Sequence, residues 1–173
     1  MRNNVGMFMV RAVTGGLLFG HGAQKLFGWF GGGGPEGTGA MFESLGYPRG
    51  RDMARLAGAT ETAAGLSLAS GLLTPLGAAG VIGVMTNASV AAHGSAGLWN
   101  HNGGYEYPLV LSTVAASLAL TGPGGLSADA ALGRKLAGAR WGIAALALGT
   151  SSAMAVLSTR RTQPSDTTGT GPS

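Results

Sequence analysis

The sequence contains no cysteine among its 173 residues. This absence excludes disulfide bonds, iron–sulfur clusters, thiolate metal sites and a dithiol redox centre. The three histidines and seven carboxylates show no spacing typical of a metal site or a catalytic motif. The sequence therefore predicts no metal centre, and it leaves open whether the chain is an enzyme.

Charged residues are scarce, at 10% of the chain. Between Thr62 and Tyr105 there is no Asp, Glu, Lys or Arg, a length that suffices for two membrane crossings of about 20 apolar residues each. The net charge of +4 comes from basic residues that lie at the ends of apolar runs. This pattern is typical of membrane flanks and not of a nucleic-acid-binding surface. We therefore expect a membrane protein whose surroundings are the lipid bilayer, with no nucleic acid as a partner.

Five apolar segments predict an all-α membrane protein, a four-helix transmembrane bundle plus a fifth C-terminal transmembrane helix. The helices are expected at about 5–27, 53–73, 76–93, 108–121 and 137–157. We divide the chain into a four-helix membrane domain (1–135), an additional transmembrane helix (136–158) and a disordered polar tail (159–173). Basic residues are shared almost evenly between the two predicted sides, so the positive-inside rule does not fix the orientation.

The first predicted helix carries its polar residues at spacings of three and four, which places them on one face. They are Arg11, Thr14, His21 and Lys25, with Leu18 between them. Because ionisable groups facing lipid are costly, we expect this face to point inward or to reach an interface. Gly16 and Gly20 form a small-xxx-small pair, which is expected to let another helix approach closely.

The glycine-rich stretch 28–52 predicts a loop or re-entrant segment with a short interfacial helix at about 40–45. Residues 32–37 (GGGPEG) formally match the dinucleotide fingerprint GxGxxG. No strand is predicted before them, and Pro35 is expected to break any helix that follows. The sequence therefore predicts no dinucleotide site here.

Connectivity brings several polar residues to the same half of the predicted bundle, since helix one ends, helix two begins, helix three ends and helix four begins on one side. The residues expected in an intramembrane polar pocket are His21, Lys25, Glu61 and Asn87. Those expected at its rim are Gln24, His93, His101, Asn102, Tyr105 and Glu106. Glu61 lies roughly 13 Å below residue 52 at 1.5 Å per residue. At that depth it should be protonated or paired, with His21, Lys25 or an arginine as partner.

Simpler interpretations of the same residues also stand. Lys25 near a helix C-terminus complements the helix dipole and can extend to the interface without any function. Glu61 can form a structural salt bridge between helices one and two. His93 and His101 are typical interfacial hydrogen-bonding residues, and two facing histidines are also able to hold a haem.

At these residues the chain resembles the DoxX family of small bacterial membrane proteins, part of a DoxD-like group. The resemblance covers about 7–134. The matching motifs are GHGAQKLFGWFGG at 20–32, GT at 37–38 before Phe42, LGYP at 45–48, Glu61 followed by GL at 65–66, GLLTPL at 71–76 and YEYPL at 105–109. It implies a four-helix bundle in the bacterial plasma membrane, associated with redox systems such as thiosulfate:quinone oxidation or oxidative-stress complexes. It implies no catalytic residue.

These observations favour a multi-pass inner-membrane subunit, linked to a quinone-dependent oxidoreductase or an oxidative-stress complex, whose polar pocket admits a quinone head group. Because the chain shows no electron carrier of its own, the electrons would come from a membrane or membrane-associated redox partner or from a bound cofactor. A non-enzymatic scaffold that stabilises a partner complex is the alternative hypothesis. A small-solute or proton-coupled transporter is a third, although the sequence shows no inverted repeat.

Overall fold

The computed structural model describes residues 2–161, and in this range the chain is α-helical with no strand. The predicted all-α class is therefore confirmed. The helices are α1 (Arg2–Phe27), α2 (Gly34–Ser44), α3 (Gly50–Ser70), α4 (Thr74–Ala91), α5 (Glu106–Thr121), the single turn α6 (Ala128–Ala131) and α7 (Ala139–Leu157). Short 3₁₀ turns lie before α2 and between α4 and α5.

The long helices pack in sequence across the molecule. α1 packs on α3, α3 on α4, and α4 on both α5 and α7, while α2 lies against α3. The core between them is built from small and aliphatic side chains, with Leu18, Leu68, Val81, Ile82, Leu111 and Leu118 among its larger members. The predicted inward face of α1 is confirmed, because Arg11, Thr14 and Leu18 are all buried.

Glycines allow α1 and α3 to approach closely. A Cβ atom added at Gly15 would lie 2.5 Å from the carbonyl oxygen of Gly65, and one added at Gly65 would lie 2.6 Å from the carbonyl oxygen of Gly15. Such distances leave no room for a side chain on either helix. The predicted pair Gly16 and Gly20 does not make this contact, since a Cβ at either position would meet nothing within 4 Å. Both lie on the face of α1 that turns away from α3.

The stretch predicted as a loop at 28–52 contains a longer helix than expected. α2 begins at Gly34, six residues before the predicted start, and Pro35 lies in its first turn. The prediction that Pro35 breaks a helix here is wrong for a physical reason. An N–H group in the first helical turn has no partner in the helix, so proline costs nothing at that position.

Arg11 and Asp129, both fully buried, lie at the end of the bundle opposite α2. The carboxylate of Asp129 accepts hydrogen bonds from the backbone N–H groups of Leu73 (3.1 Å) and Thr74 (3.3 Å) at the start of α4. The guanidinium of Arg11 donates to the carbonyl oxygens of Leu68 and Leu126. The two side chains thus join α1, the α3–α4 turn and the segment around α6. The sequence analysis did not identify Asp129.

Among the helices in the described range, α7 (Ala139–Leu157) is the one long and apolar enough to cross a membrane by length and composition, and α5 is apolar but shorter. Five crossings are therefore not confirmed by hydropathy. α1 and α3 are long enough, but they carry Arg11, Lys25 and Glu61 together with many glycines, all of which lower the mean hydropathy of a window.

The end of α7 folds back onto the α2–α3 loop. Arg160 donates from Nε to the carbonyl oxygen of Leu45 (2.9 Å), and the backbone N–H of Arg161 donates to that of Gly46 (2.8 Å). The guanidinium of Arg160 also lies 5.6 Å from the ring centroid of Tyr47. From residue 162 onward, the predicted disordered tail lies outside the described residues.

Candidate functional site

Lys25 on α1 and Glu61 on α3 form an ion pair, with 2.6 Å between Nζ and Oε2. The carboxyl side chain is 4% exposed and the lysine side chain 20% exposed, so the pair is largely shielded from the surroundings. The ammonium group also donates to the carbonyl oxygen of His21 at 3.4 Å. Of the partners considered for Glu61, the structure selects Lys25.

Helical spacing explains why the pair forms. Glu61 shares the buried stripe of α3 with Ala54, Gly58, Gly65 and Leu68, at intervals of three, four and seven residues. Gly58 leaves space one turn before Glu61, because a Cβ there would lie 3.0 Å from the Cβ of Lys25. The long side chain of Lys25 can therefore pass over α3 and reach the carboxylate.

The pair lines a cavity of about 450 Å³, which we call the Glu61 cavity. Its walls come from α3, α4, α7 and the α2 region. Its polar lining residues include Lys25, Glu61, Asn87 and His93, and its apolar lining includes Met41, Phe42, Leu45, Leu56, Val84 and Val156. A volume in this range, with a few polar groups in an apolar wall, is typical of a small-molecule site. The structure thus brings together three of the four residues predicted for the pocket.

Asn87 contributes an unused hydrogen-bond donor to this region. The hydroxyl of Tyr47, in the α2–α3 loop, donates to Oδ1 of Asn87 at 2.8 Å. Burial raises the pKa of the Tyr47 hydroxyl above its usual value, against the opposing effects of Asn87 and Arg160, so Tyr47 keeps its proton at neutral pH. The amide nitrogen Nδ2 of Asn87 is buried and has no hydrogen-bond partner within the described part of the chain. A buried amide donor without an acceptor is costly, and Asn87 is also one of the residues that line the Glu61 cavity.

His21 does not line the Glu61 cavity. Its Nδ1 is 3.1 Å from Oε1 of Gln24, and its Nε2 is 3.5 Å from the hydroxyl of Tyr107 on α5. The two rings meet edge to face with 6.2 Å between their centroids. His21 therefore stands beside the ion pair and links it to α5. Tyr107 was missed as a site residue, although it lies within the YEYPL motif at the start of α5.

The predicted rim residues occupy different places. His93 lines the cavity, and its Nδ1 is 2.6 Å from the carbonyl oxygen of Gly103. Glu106 accepts a hydrogen bond from the backbone N–H of Asn100 at 2.9 Å, which fixes the α4–α5 loop. His101 and Asn102 are exposed, Tyr105 is half-buried, and Gln24 bonds to His21. No group of three or more His, Asp or Glu residues suited to a metal ion occurs within residues 2–161.

Comparison with known proteins adds one finding. The family described as DoxX matches residues 6–94, which is half of the chain. The match includes all of α2, α3 and α4 and most of α1, whereas α5 and α7 lie beyond it. The matched part contains four polar residues that line the Glu61 cavity: Lys25, Glu61, Asn87 and His93. The curated proteins and the solved structures give no match to this chain.

Proposed function

The chain belongs to the DoxX family of membrane proteins, and on that premise we propose that it is a quinone-binding subunit of a membrane oxidoreductase or oxidative-stress complex. The quinone head group enters the Glu61 cavity. The observation that carries the proposal is the unpartnered amide donor of Asn87 in a cavity that Lys25 and Glu61 also line.

A quinone ring suits this lining because it is neutral, largely apolar and carries two carbonyl oxygens that only accept hydrogen bonds. Nδ2 of Asn87 offers a donor to one carbonyl oxygen, and the ammonium group of Lys25 is a donor with three N–H bonds. The surrounding wall of Phe42, Leu56 and Val84 suits the faces of the ring. Donor groups on the residues that line an otherwise apolar cavity favour a carbonyl ligand over a hydrocarbon.

Reduction of a quinone to a quinol needs two electrons and two protons. A redox partner protein supplies both electrons, because the chain holds no thiol and no cluster-binding cysteine. A proton held by the Lys25–Glu61 pair moves to one carbonyl oxygen as the electrons arrive. The pair takes up a second proton from the loop side of the cavity, passes it to the other carbonyl oxygen, and is then reprotonated from the same side. Glu61 and Lys25 are the groups that exchange the proton, while Asn87 orients the ring.

We also propose that the chain is a multi-pass protein of the bacterial inner membrane, with a four-helix bundle formed by α1, α3, α4 and α5 and a fifth crossing by α7. Support comes from the distribution of side chains. The ionisable residues Arg11 and Glu61 are buried between helices, whereas apolar residues of α1 and α7 such as Val13, Ile143 and Met154 are exposed. This is the arrangement expected of helices surrounded by lipid.

The proposal is tested by quinone binding to the purified protein in nanodiscs. Glu61→Gln and Asn87→Leu are each expected to weaken binding by about 10–100-fold, the loss expected when a hydrogen bond to a charged or buried group is removed. Glu36→Gln is the matched control, since Glu36 also forms an ion pair at 2.6 Å, with Arg51, but on an exposed surface. It should leave the dissociation constant unchanged.

Circular dichroism and melting curves of each variant establish that it is folded before its binding is compared. Equal quinone affinity in the wild type, Glu61→Gln and Asn87→Leu proteins would exclude the Glu61 cavity as the head-group site. The same variants, assembled with the native complex, should lower quinone-linked turnover in proportion to the loss of binding.

A scaffold without its own ligand is the second candidate, favoured by the open face of α1. A Cβ added at Gly16 or Gly20 would meet nothing within 4 Å in the described part of the chain, and Val13 and Leu17 beside them are exposed. Small residues on a lipid-facing helix allow the helix of another protein to pack closely. A scaffold would tolerate Glu61→Gln without loss of partner, which separates it from the quinone-binding subunit.

A further inference from the structure

A second cavity, of about 710 Å³, adjoins the Glu61 cavity. We call it the Leu73 cavity, and it lies between α3, α4 and α7 toward the α3–α4 turn. The two cavities share three lining residues, one from each helix: Thr60, Gly80 and Ser152. They therefore form one groove. Along α3 the lining runs from Met53 to Ser70, about 26 Å at 1.5 Å per residue.

The Leu73 cavity offers almost nothing to a polar ligand. Its alkyl lining includes Leu66, Leu72, Leu73, Leu76 and Leu148. Its hydroxyl groups donate to backbone carbonyl oxygens instead of into the cavity. Thr60 donates to Leu56, Ser67 to Leu72, Ser70 to Leu66 and Ser152 to Gly149, at 2.6–2.8 Å. The end of the groove at the Glu61 cavity is thus lined by Lys25, Glu61 and Asn87, whereas the end at the Leu73 cavity is lined mainly by alkyl side chains.

We propose that this groove holds the long polyprenyl tail of a membrane quinone whose head group lies in the Glu61 cavity, so that the substrate class is a lipid-soluble isoprenoid quinone and not a short or water-soluble one. The inference rests on the proposed function and names its substrate class. An amphiphile with a carbonyl-bearing ring at one end and an apolar chain at the other matches the groove in both polarity and order.

Charge favours this occupant over a phospholipid. A phosphate head group in the Glu61 cavity would bring a negative charge next to the buried carboxylate of Glu61, whereas the quinone ring is neutral.

The test uses the full-length protein in phospholipid nanodiscs and a polyprenyl quinone with a photoactivatable diazirine midway along its tail. We expect labelling concentrated on peptides of α3, α4 and α7 that line the groove, with an excess of unlabelled polyprenyl quinone suppressing it. Ala63→Phe places a ring in the groove from an exposed position. It should lower this labelling by about tenfold, as expected when a filled site is overpacked.

Ala147→Phe is the matched control, because Ala147 is exposed on α7 but lines neither cavity. It should label as the wild type does. A tail-less quinone with the same ring measures the head-group site alone. If the tail-less ring binds but the tail labels all lipid-facing helices evenly, or if phospholipid suppresses the labelling as well as quinone does, the tail site is wrong and the head-group site stands. If neither quinone binds, both proposals fail.

Discussion

Glu61 lies on the buried stripe of α3, and its charged side chain is almost completely shielded there. A carboxylate with 4% of its side chain exposed would be unstable alone, and Lys25 stabilises it at 2.6 Å. The same pair that joins α1 to α3 also faces the Glu61 cavity. The structural role of this ion pair and its proposed role in quinone binding therefore rest on the same two residues, and variants at these positions have to separate the two.

Lys25→Met is expected to destabilise the fold by about 3–5 kcal/mol, because it leaves the buried carboxylate without its partner. The double variant Lys25→Met/Glu61→Leu removes both charges and should recover most of that stability while quinone binding remains lost. Thermal unfolding in one detergent, followed by tryptophan fluorescence, measures the difference. A double variant as unstable as Lys25→Met alone would contradict this account of the pair.

Residue periodicity was sufficient to predict part of this site. The positions of Lys25 on α1 and of Glu61 and Asn87 on the next two long helices follow from spacing and connectivity. The hydrogen bond from Tyr47 to Asn87 does not, because it depends on the path of the α2–α3 loop. His21 was expected in the pocket, but its ring bonds to Gln24 and Tyr107. It lies one helical turn before Lys25 on α1, and at that level its side chain meets different neighbours.

At the scale of elements, the single helical turn α6 stabilises the start of the long helix α4. α6 places Asp129 under the first turn of α4, where its carboxylate accepts two backbone N–H groups that have no partner within the helix. The guanidinium of Arg134 lies 3.7 Å from Oδ1 of the same carboxylate. A four-residue helix is too short to show a hydrophobic periodicity, so α6 could not be predicted from the pattern of apolar residues.

Asp129→Ala should lower the free energy of unfolding by about 2–5 kcal/mol, because it leaves the backbone N–H groups of Leu73 and Thr74 without their acceptors. Asp129→Asn retains one acceptor oxygen and should cost less. Asp52→Ala is the control, an acidic residue in the first turn of α3 whose side chain is 51% exposed, and its expected cost is about 0–1 kcal/mol. Melting temperatures of the three variants provide the measurement, and equal losses at positions 52 and 129 would contradict the capping role.

On the scale of the whole molecule, the hydropathy of the sequence predicts where the long helices lie better than it predicts which helices pack together. Each of the five predicted long helices has a counterpart in the structure, with ends that differ by a few residues. The contact of α7 with α4 and α5 could not be predicted, because small residues such as Gly149 and Ala145 pack equally well against many surfaces. α7 also lines the Glu61 cavity through Ser152, Ala153 and Val156, although it lies beyond the part matched by the family.

The open face of α1 gives a prediction at this scale. If Gly16 and Gly20 receive a partner helix, Gly16→Leu should reduce recovery of a stoichiometric partner with the tagged protein by about tenfold, since a bulky residue prevents close approach. The fold should be unaffected, because the position is open. Gly37→Leu is the control, an equally open glycine on α2. Unchanged recovery with Gly16→Leu would show that partners bind elsewhere.

The hydrogen bond from Arg11 to Leu126 spans 115 residues, and this has a consequence for the order of events during synthesis. At roughly 5–20 residues per second, the ribosome makes Leu126 and Asp129 about 6–23 s after Arg11. Until then the guanidinium on the first helix lacks the carbonyl oxygen of Leu126 as an acceptor. α1 therefore cannot complete its buried face when it first leaves the ribosome, and its final position is reached only after the segment carrying α6 has arrived.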